Sequence, residues 1–164
     1  MNIKKYLICF LAIICLSACE NIDTRGLSGF RVDINLRMKS VWDTYGCPGL
    51  GTWQYFNYPN KIPSNFPYTA TSYTGLGGVI LFYSSSGLVA FEAACPVERK
   101  ADIYVHINSE GNFDAVCPKC KSHYDVFNGT GSPLSGEAID RKVGLTRYNV
   151  YQDNLLGGYQ IASY

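Results

Sequence analysis

The chain has 164 residues, fourteen Lys+Arg against thirteen Asp+Glu, 47% apolar content and thirteen tyrosines, which suits one globular domain and leaves little length for two. A formal net charge of +1 gathers no phosphates at long range, and no run of Lys or Arg interleaves with aromatics, so nucleic acid is set aside as a partner. The same composition counts against a disordered chain, because it can bury enough surface to offset chain entropy.

Residues 1–18 differ in kind from the rest. Lys4 and Lys5 form a short basic start, and Tyr6 to Leu16 is an apolar run of eleven residues, too short to span a bilayer as a helix and of signal-peptide length. Leu16-Ser17-Ala18-Cys19 comes next and resembles the lipobox of bacterial lipoproteins, in which small residues fit a peptidase and the cysteine thiol takes up lipid. The resemblance implies an extracytoplasmic protein of the bacterial cell envelope, anchored in the outer membrane by acyl chains of the palmitate kind on Cys19. The alternative is an ordinary secretory signal with an accidental cysteine, and both place the mature chain outside the cytoplasm. Cleavage before Cys19 leaves 146 residues with twelve basic against thirteen acidic side chains.

Residues 19–28 are polar, contain Gly26 and read as a lipidated tether. Residues 29–164 read as the domain. From Phe30 to Lys39, apolar Phe30, Val32, Ile34, Leu36 and Met38 alternate with polar residues, a period of two that predicts a strand. Residues 43–74 are rich in Gly, Pro, Asn, Ser and Tyr without a period, and predict an irregular insertion with a short strand near Thr52 to Tyr55. Val79 to Tyr83 and Leu88 to Ala94 flank Ser84-Ser85-Ser86-Gly87, a predicted hairpin. A second is predicted from Ile103 to Ile107 and Phe113 to Val116, and further strands at Tyr124 to Phe127, Leu145 to Tyr151 and Tyr159 to Ala162. No segment carries a sustained helical period, so the expected fold is all-β, a small antiparallel sandwich or barrel.

Of seven cysteines, Cys9 and Cys15 leave with the signal and Cys19 takes lipid. Cys47, Cys95, Cys117 and Cys120 remain, and outside the cytoplasm four thiols are disulfide partners or metal ligands. Cys95-Pro96-Val97-Glu98 comes after one strand and Cys117-Pro118-Lys119-Cys120 lies between two others, so both loops are expected at one tip of the fold, with backbone amides aimed at sulfur.

Residues from about Gly77 to Ala162 resemble a Rieske-type domain. That family pairs a Cys-x-His loop with a Cys-Pro-x-His loop, often extended as Cys-Pro-Cys-His-Gly-Ser-x-Tyr-Asp, around a 2Fe-2S cluster held by two Cys and two His. Cys117-Pro118 and Ser122-His123-Tyr124-Asp125 match the second loop. Phe127-Asn128-Gly129, Pro133, Gly136-x-Ala138 and Leu145-x-x-Tyr148 match the C-terminal part of the family pattern. The resemblance implies a β fold with two cysteine loops at one tip, a 2Fe-2S cofactor, one-electron transfer to a redox partner protein and no enzymatic activity of its own. Four positions depart from the pattern. Val97 and Cys120 stand where the two His ligands belong, Lys121 replaces a Gly, and Glu137 replaces the Pro of a Gly-Pro-Ala loop.

Three readings of the tip are open. Cys95, Cys117 and Cys120 hold a 2Fe-2S cluster with His123, Glu98 or Cys47 as fourth ligand; or the three cysteines and a fourth group bind zinc; or the four thiols pair as disulfides in a cluster-less binding or structural lipoprotein of the envelope. A Cys-Pro-x-Cys sequence also occurs in thiol–disulfide oxidoreductases, but those place it at a helix N-terminus, and a loop and strand are predicted here. Trp42, Trp53 and the tyrosines from Tyr45 to Tyr73 offer either an aromatic carbohydrate platform or loop packing over the sheet.

Overall fold

The computed structural model describes residues 21–163, so the signal peptide and Cys19 lie outside the described residues. In chain order the elements are β1 Val32–Met38, α1 Lys39–Tyr45, β2 Trp53–Phe56, β3 Tyr73–Thr74, β4 Val79–Ser84, β5 Gly87–Glu92, β6 His106–Asn108, β7 Asp114–Val116, β8 His123–Tyr124, β9 Pro133–Ser135, α2 Glu137–Asp140, β10 Arg147–Asp153 and β11 Gly157–Ala162. They make two antiparallel sheets. The larger has the order β2-β4-β5-β10-β11-β1-β3 and curls nearly into a barrel; the smaller has the order β6-β7-β8-β9. The expected antiparallel all-β architecture is present. Among the described residues no helix is long and apolar enough to cross a membrane.

Period-two patterning explains β1. Val32, Ile34 and Leu36 are buried while Asn35 and Arg37 face out, and the strand lies between β11 and β3. The run Val79-Ile80-Leu81-Phe82 in β4 does not alternate because both its faces are covered. Val79 and Leu81 enter a core with Val32, Ile34, Leu36, Phe56 and Ile161, inside the large sheet. Ile80 and Phe82 enter a second core with Phe91, Val105, Ala115 and Tyr124, against the small sheet. The small sheet is therefore seated on the outer face of the β4–β5 hairpin, and in sequence it is an excursion between β5 and β10, which pair with each other through Tyr148 and Ala90.

The structure adds three features to this reading. Within residues 43–74 the short strand expected near Thr52 to Tyr55 is β2, and the end of α1 and β3 fall there as well. The helix α1 has seven residues and a Lys39–Asp43 ion pair at 2.7 Å, and lays half-buried Val41, Trp42 and Tyr45 on the large-sheet core; two turns are too short to show a sustained helical period. Residues 21–28 do not hang free. The Asp23 amide donates to Lys142 O (2.8 Å), Gly144 N donates back to Asp23 O (2.9 Å), and the Leu27 side chain is buried.

Tyr45, Tyr58 and Tyr68 of the insertion pack on one another and on Phe66. Phe66 meets Tyr45, Phe56 and Tyr68 at centroid distances of 5.2, 5.1 and 4.6 Å, and Trp42 lies 4.3 Å from Tyr159 in β11. These rings form a lid on the large-sheet core, the loop-packing arrangement, while Trp53 and Tyr73 are exposed.

Candidate metal centre

Two loops at one end of the small sheet carry the cysteines. The first leaves β5 through Ala93 and Ala94, and the second joins β7 to β8. Each begins Cys-Pro, and each closes on itself by the same bond. The Arg99 amide donates to Cys95 O at 2.8 Å, and the Lys121 amide donates to Cys117 O at 3.1 Å. The fifth residue of each loop has a left-handed backbone, Arg99 at φ 54° and Lys121 at φ 57°. The loops are anchored at their bases by Cys95 N to Ile103 O (2.9 Å) and Cys117 N to Ser122 O (3.0 Å).

This folding brings Cys95, Cys117 and Cys120 together. Their three sulfurs all lie within 4.8 Å of one another, and Cys95 Sγ and Cys120 Sγ are 3.6 Å apart. Cys95 and Cys117 are fully buried and Cys120 partly so, while Pro118, Lys119 and Lys121 on the second loop face solvent. Hydroxyls surround the sulfurs. Tyr124 Oη is 3.7 Å from Cys95 Sγ, and Ser122 Oγ is 3.3 Å from Cys120 Sγ while also accepting the Ala138 amide at 3.0 Å. The start of α2 thus holds Ser122 against the thiols.

Burial pushes the Cys95 thiol up to about 12, against amides of Glu98 and Val97 that face its sulfur and favour the thiolate. Burial also acts upward on Cys120, but contacts from Ser122 and the two neighbouring thiols outweigh it and leave that thiol below its ordinary value. A metal ion reverses the cost of burial by supplying the opposite charge directly.

Of the other expected ligands, Cys47 and His123 are held elsewhere, and Glu98 is paired with Lys119 across the two loops. Cys47 lies in the large-sheet core, its thiol 3.4 Å from Leu81 O, where burial pushes it up to about 12. The small-sheet core receives Ile80 and Phe82 from the other face of the same strand, so Cys47 is separated from the tip by β4. His123 Nδ1 is engaged by Asp114 Oδ2, and the second Asp114 oxygen is buried without a partner. Glu98 forms an ion pair with Lys119 across the two loops at 2.6 Å. All four described cysteines are free thiols.

The donor set does not fit the His2Cys2 cluster that the resemblance implies. Val97, at the first His position, is an apolar member of the small-sheet core. Thiolates around one tetrahedral ion with 2.3 Å bonds sit about 3.8 Å apart, whereas ligands on two irons are spread further by the spacing between the metals. Three sulfurs inside 4.8 Å therefore match soft-metal chemistry at a single point.

Sequence reasoning found the three cysteines and, from Cys-Pro-x-x at both places, a pair of knuckles, but not Ser122 as the bridge from α2 to the thiols. A further signal for the repeat is the basic residue four positions after each Cys, Arg99 and Lys121. Compared with family models, curated proteins and solved structures, the chain matches none.

Proposed function

We propose that this protein is a lipid-anchored, extracytoplasmic domain of Rieske-like type that holds a thiolate-bound metal at the tip of its small sheet and serves as an electron-transfer component rather than an enzyme. The observation that carries this reading is the convergence of Cys95, Cys117 and Cys120 from two loops onto one point. Two further features support it. The β6–β9 sheet with its cysteine loops is inserted between paired strands β5 and β10, as expected of a cofactor-holding excursion on a β scaffold. The hydroxyls of Tyr124 and Ser122 stand where hydrogen bonds to sulfur tune a metal–thiolate centre.

When iron is bound, the centre supplies one-electron chemistry. The chain's own part is to hold the thiolates, to keep water from Cys95 and Cys117, and to present the exposed Lys119–Lys121 loop to a redox partner. The test is metal content per chain in protein extracted anaerobically in detergent. At least one stoichiometric iron is expected, and Cys117→Ser should lose it; stoichiometric zinc would overturn the electron-transfer role, and a wild-type chain with reduced thiols and no metal would sink the proposal whole.

A second reading draws on the 3.6 Å between Cys95 and Cys120. Oxidation would join that pair and leave Cys117 and Cys47 unpaired on opposite sides of β4, in a module with a structural or binding role. Intact mass two hydrogens below the reduced value, with no bound metal, would favour it.

A further inference from the structure

We infer that the tip is a single-ion site built from two copies of one knuckle, and that Glu98 is its fourth ligand. The inference rests on the metal–thiolate reading above and adds nuclearity and the missing donor.

The repeat is in the backbone. Both loops run Cys-Pro-x-x and end in a basic residue with left-handed φ whose amide closes onto the cysteine carbonyl, at 2.8 Å from Arg99 and 3.1 Å from Lys121. Superposing the loops by position pairs Cys95 with Cys117, and Glu98 with Cys120. In a Cys-x-x-Cys knuckle the first and fourth residues are the ligands, because the turn between them aims both side chains at the ion. The first loop has that turn and carries a carboxylate at its fourth position. Carboxylate oxygen is an accepted ligand in tetrahedral sites of this kind, at about 2.0 to 2.2 Å.

The Glu98 carboxylate is engaged by Lys119 of the facing loop, at 2.6 Å, so the pair spans the two knuckles at their outer side. The Glu98 side chain is 14% exposed and that of Lys119 56%. Lys119 can swing into solvent at little cost, since an ion pair this exposed on one side contributes little. Binding a divalent ion to three thiolates leaves the site with one net negative charge, and adding Glu98 makes it two. Lys119 and Lys121, both exposed on the second loop next to the site, offset that excess through solvent. The ion is divalent and thiophilic; iron(II) and zinc(II) share this chemistry, and metal analysis of the protein as isolated separates them.

The test uses the full chain, reduced and loaded with cobalt(II), whose visible bands report coordination geometry and whose sulfur-to-metal charge-transfer band scales with the number of thiolates. One ion per chain with a three-thiolate tetrahedral spectrum is expected. Glu98→Cys, which takes the thiolates from three to four, should raise the charge-transfer intensity by about a third and tighten binding. Glu98→Ala should weaken binding at least tenfold and make the spectrum respond to added small thiol, which fills the vacated position. Cys47→Ser should change neither.

Two irons with two sulfides per chain would overturn the single-ion inference while leaving the metal–thiolate reading in place. A Glu98→Ala spectrum and affinity equal to wild type would overturn the role of Glu98 alone. Failure of the reduced wild-type chain to bind cobalt, zinc or iron would overturn both. Glu98 is at the edge of the site rather than in the core, so its variants are expected to fold; circular dichroism of each confirms it.

Discussion

Glu92 is the most heavily bonded buried side chain of the described residues outside the cysteine tip. Its carboxylate accepts the amides of Leu76 (2.8 Å), Gly77 (2.8 Å) and Ala94 (3.0 Å) and the Tyr148 hydroxyl (2.7 Å). It ties the β3–β4 connection to β10 and sets the start of the first cysteine loop. Glu92→Ala would leave the buried amides of Gly77 and Ala94 and the half-buried amide of Leu76 without acceptors, at about 1 to 3 kcal/mol for each buried one, so a loss of about 2 kcal/mol or more is expected in urea unfolding. Burial raises the Glu92 carboxyl above the ordinary glutamate value, against the pull of these four donors. The folded chain then holds this proton more tightly than the unfolded chain. Its share of stability is full below the ordinary value and is lost as pH rises through the folded one. The stability gap between wild type and Glu92→Ala should narrow as pH rises over that window; a gap that widens would show that the carboxylate is the favoured buried form. Nothing in the sequence marked Glu92, because a lone acidic residue at the end of an apolar strand has no local partner. Its donors come from positions 15, 16 and 56 residues away and two residues on.

Long strands were legible where burial had a simple pattern. The alternation of β1 was read within two residues of its start, and the β4–β5 hairpin through its Ser-Ser-Ser-Gly turn, where Gly87 has φ 105°. The strands β3, β8 and β9 are two or three residues long and hold place by pairing and by core neighbours such as Tyr124, not by local preference, so they left little trace. The cysteine loops fall between these cases. Residue types named the ligands, but loop shape depends on φ values that only glycine would have announced. Lys121 occupies a left-handed position, φ 57°, where the Rieske pattern has glycine. An L side chain there costs roughly 1 to 2 kcal/mol, and glycine returns part of that through unfolded-state entropy. Lys121→Gly is therefore expected to stabilise the chain by about 0.5 to 1 kcal/mol in thermal or urea unfolding, with metal affinity kept. A destabilised Lys121→Gly would mean that the lysine side chain contributes to the loop in a way its backbone strain conceals.

Across the molecule, the first described residues lie against the end that carries the cysteine loops. The segment is bound to the body from Asp23 onward, and Arg99 of the first cysteine loop donates to Gly26 O at 2.5 Å. With lipid on Cys19, as proposed, only Glu20, Asn21 and Ile22 separate the anchor from the first body contact. Four Cα steps of at most about 3.5 Å give a reach of about 14 Å, so the cysteine loops would work close to the membrane surface and meet partners that are themselves membrane-bound. Anchoring and docking are separable by mutation. Cys19→Ser removes the lipid site but none of the contacts from Asp23 to Thr146, so it should move the protein from the membrane fraction to the soluble one with its melting temperature unchanged. Leu27 is 3% exposed, and its amide donates to Thr146 Oγ1 at 3.3 Å. Truncating a buried leucine costs about 2 to 5 kcal/mol, so Leu27→Ala should keep the protein on the membrane and lower its melting temperature by several degrees. Unchanged stability in Leu27→Ala would restore the free tether, with a reach long enough to carry the cysteine loops away from the bilayer.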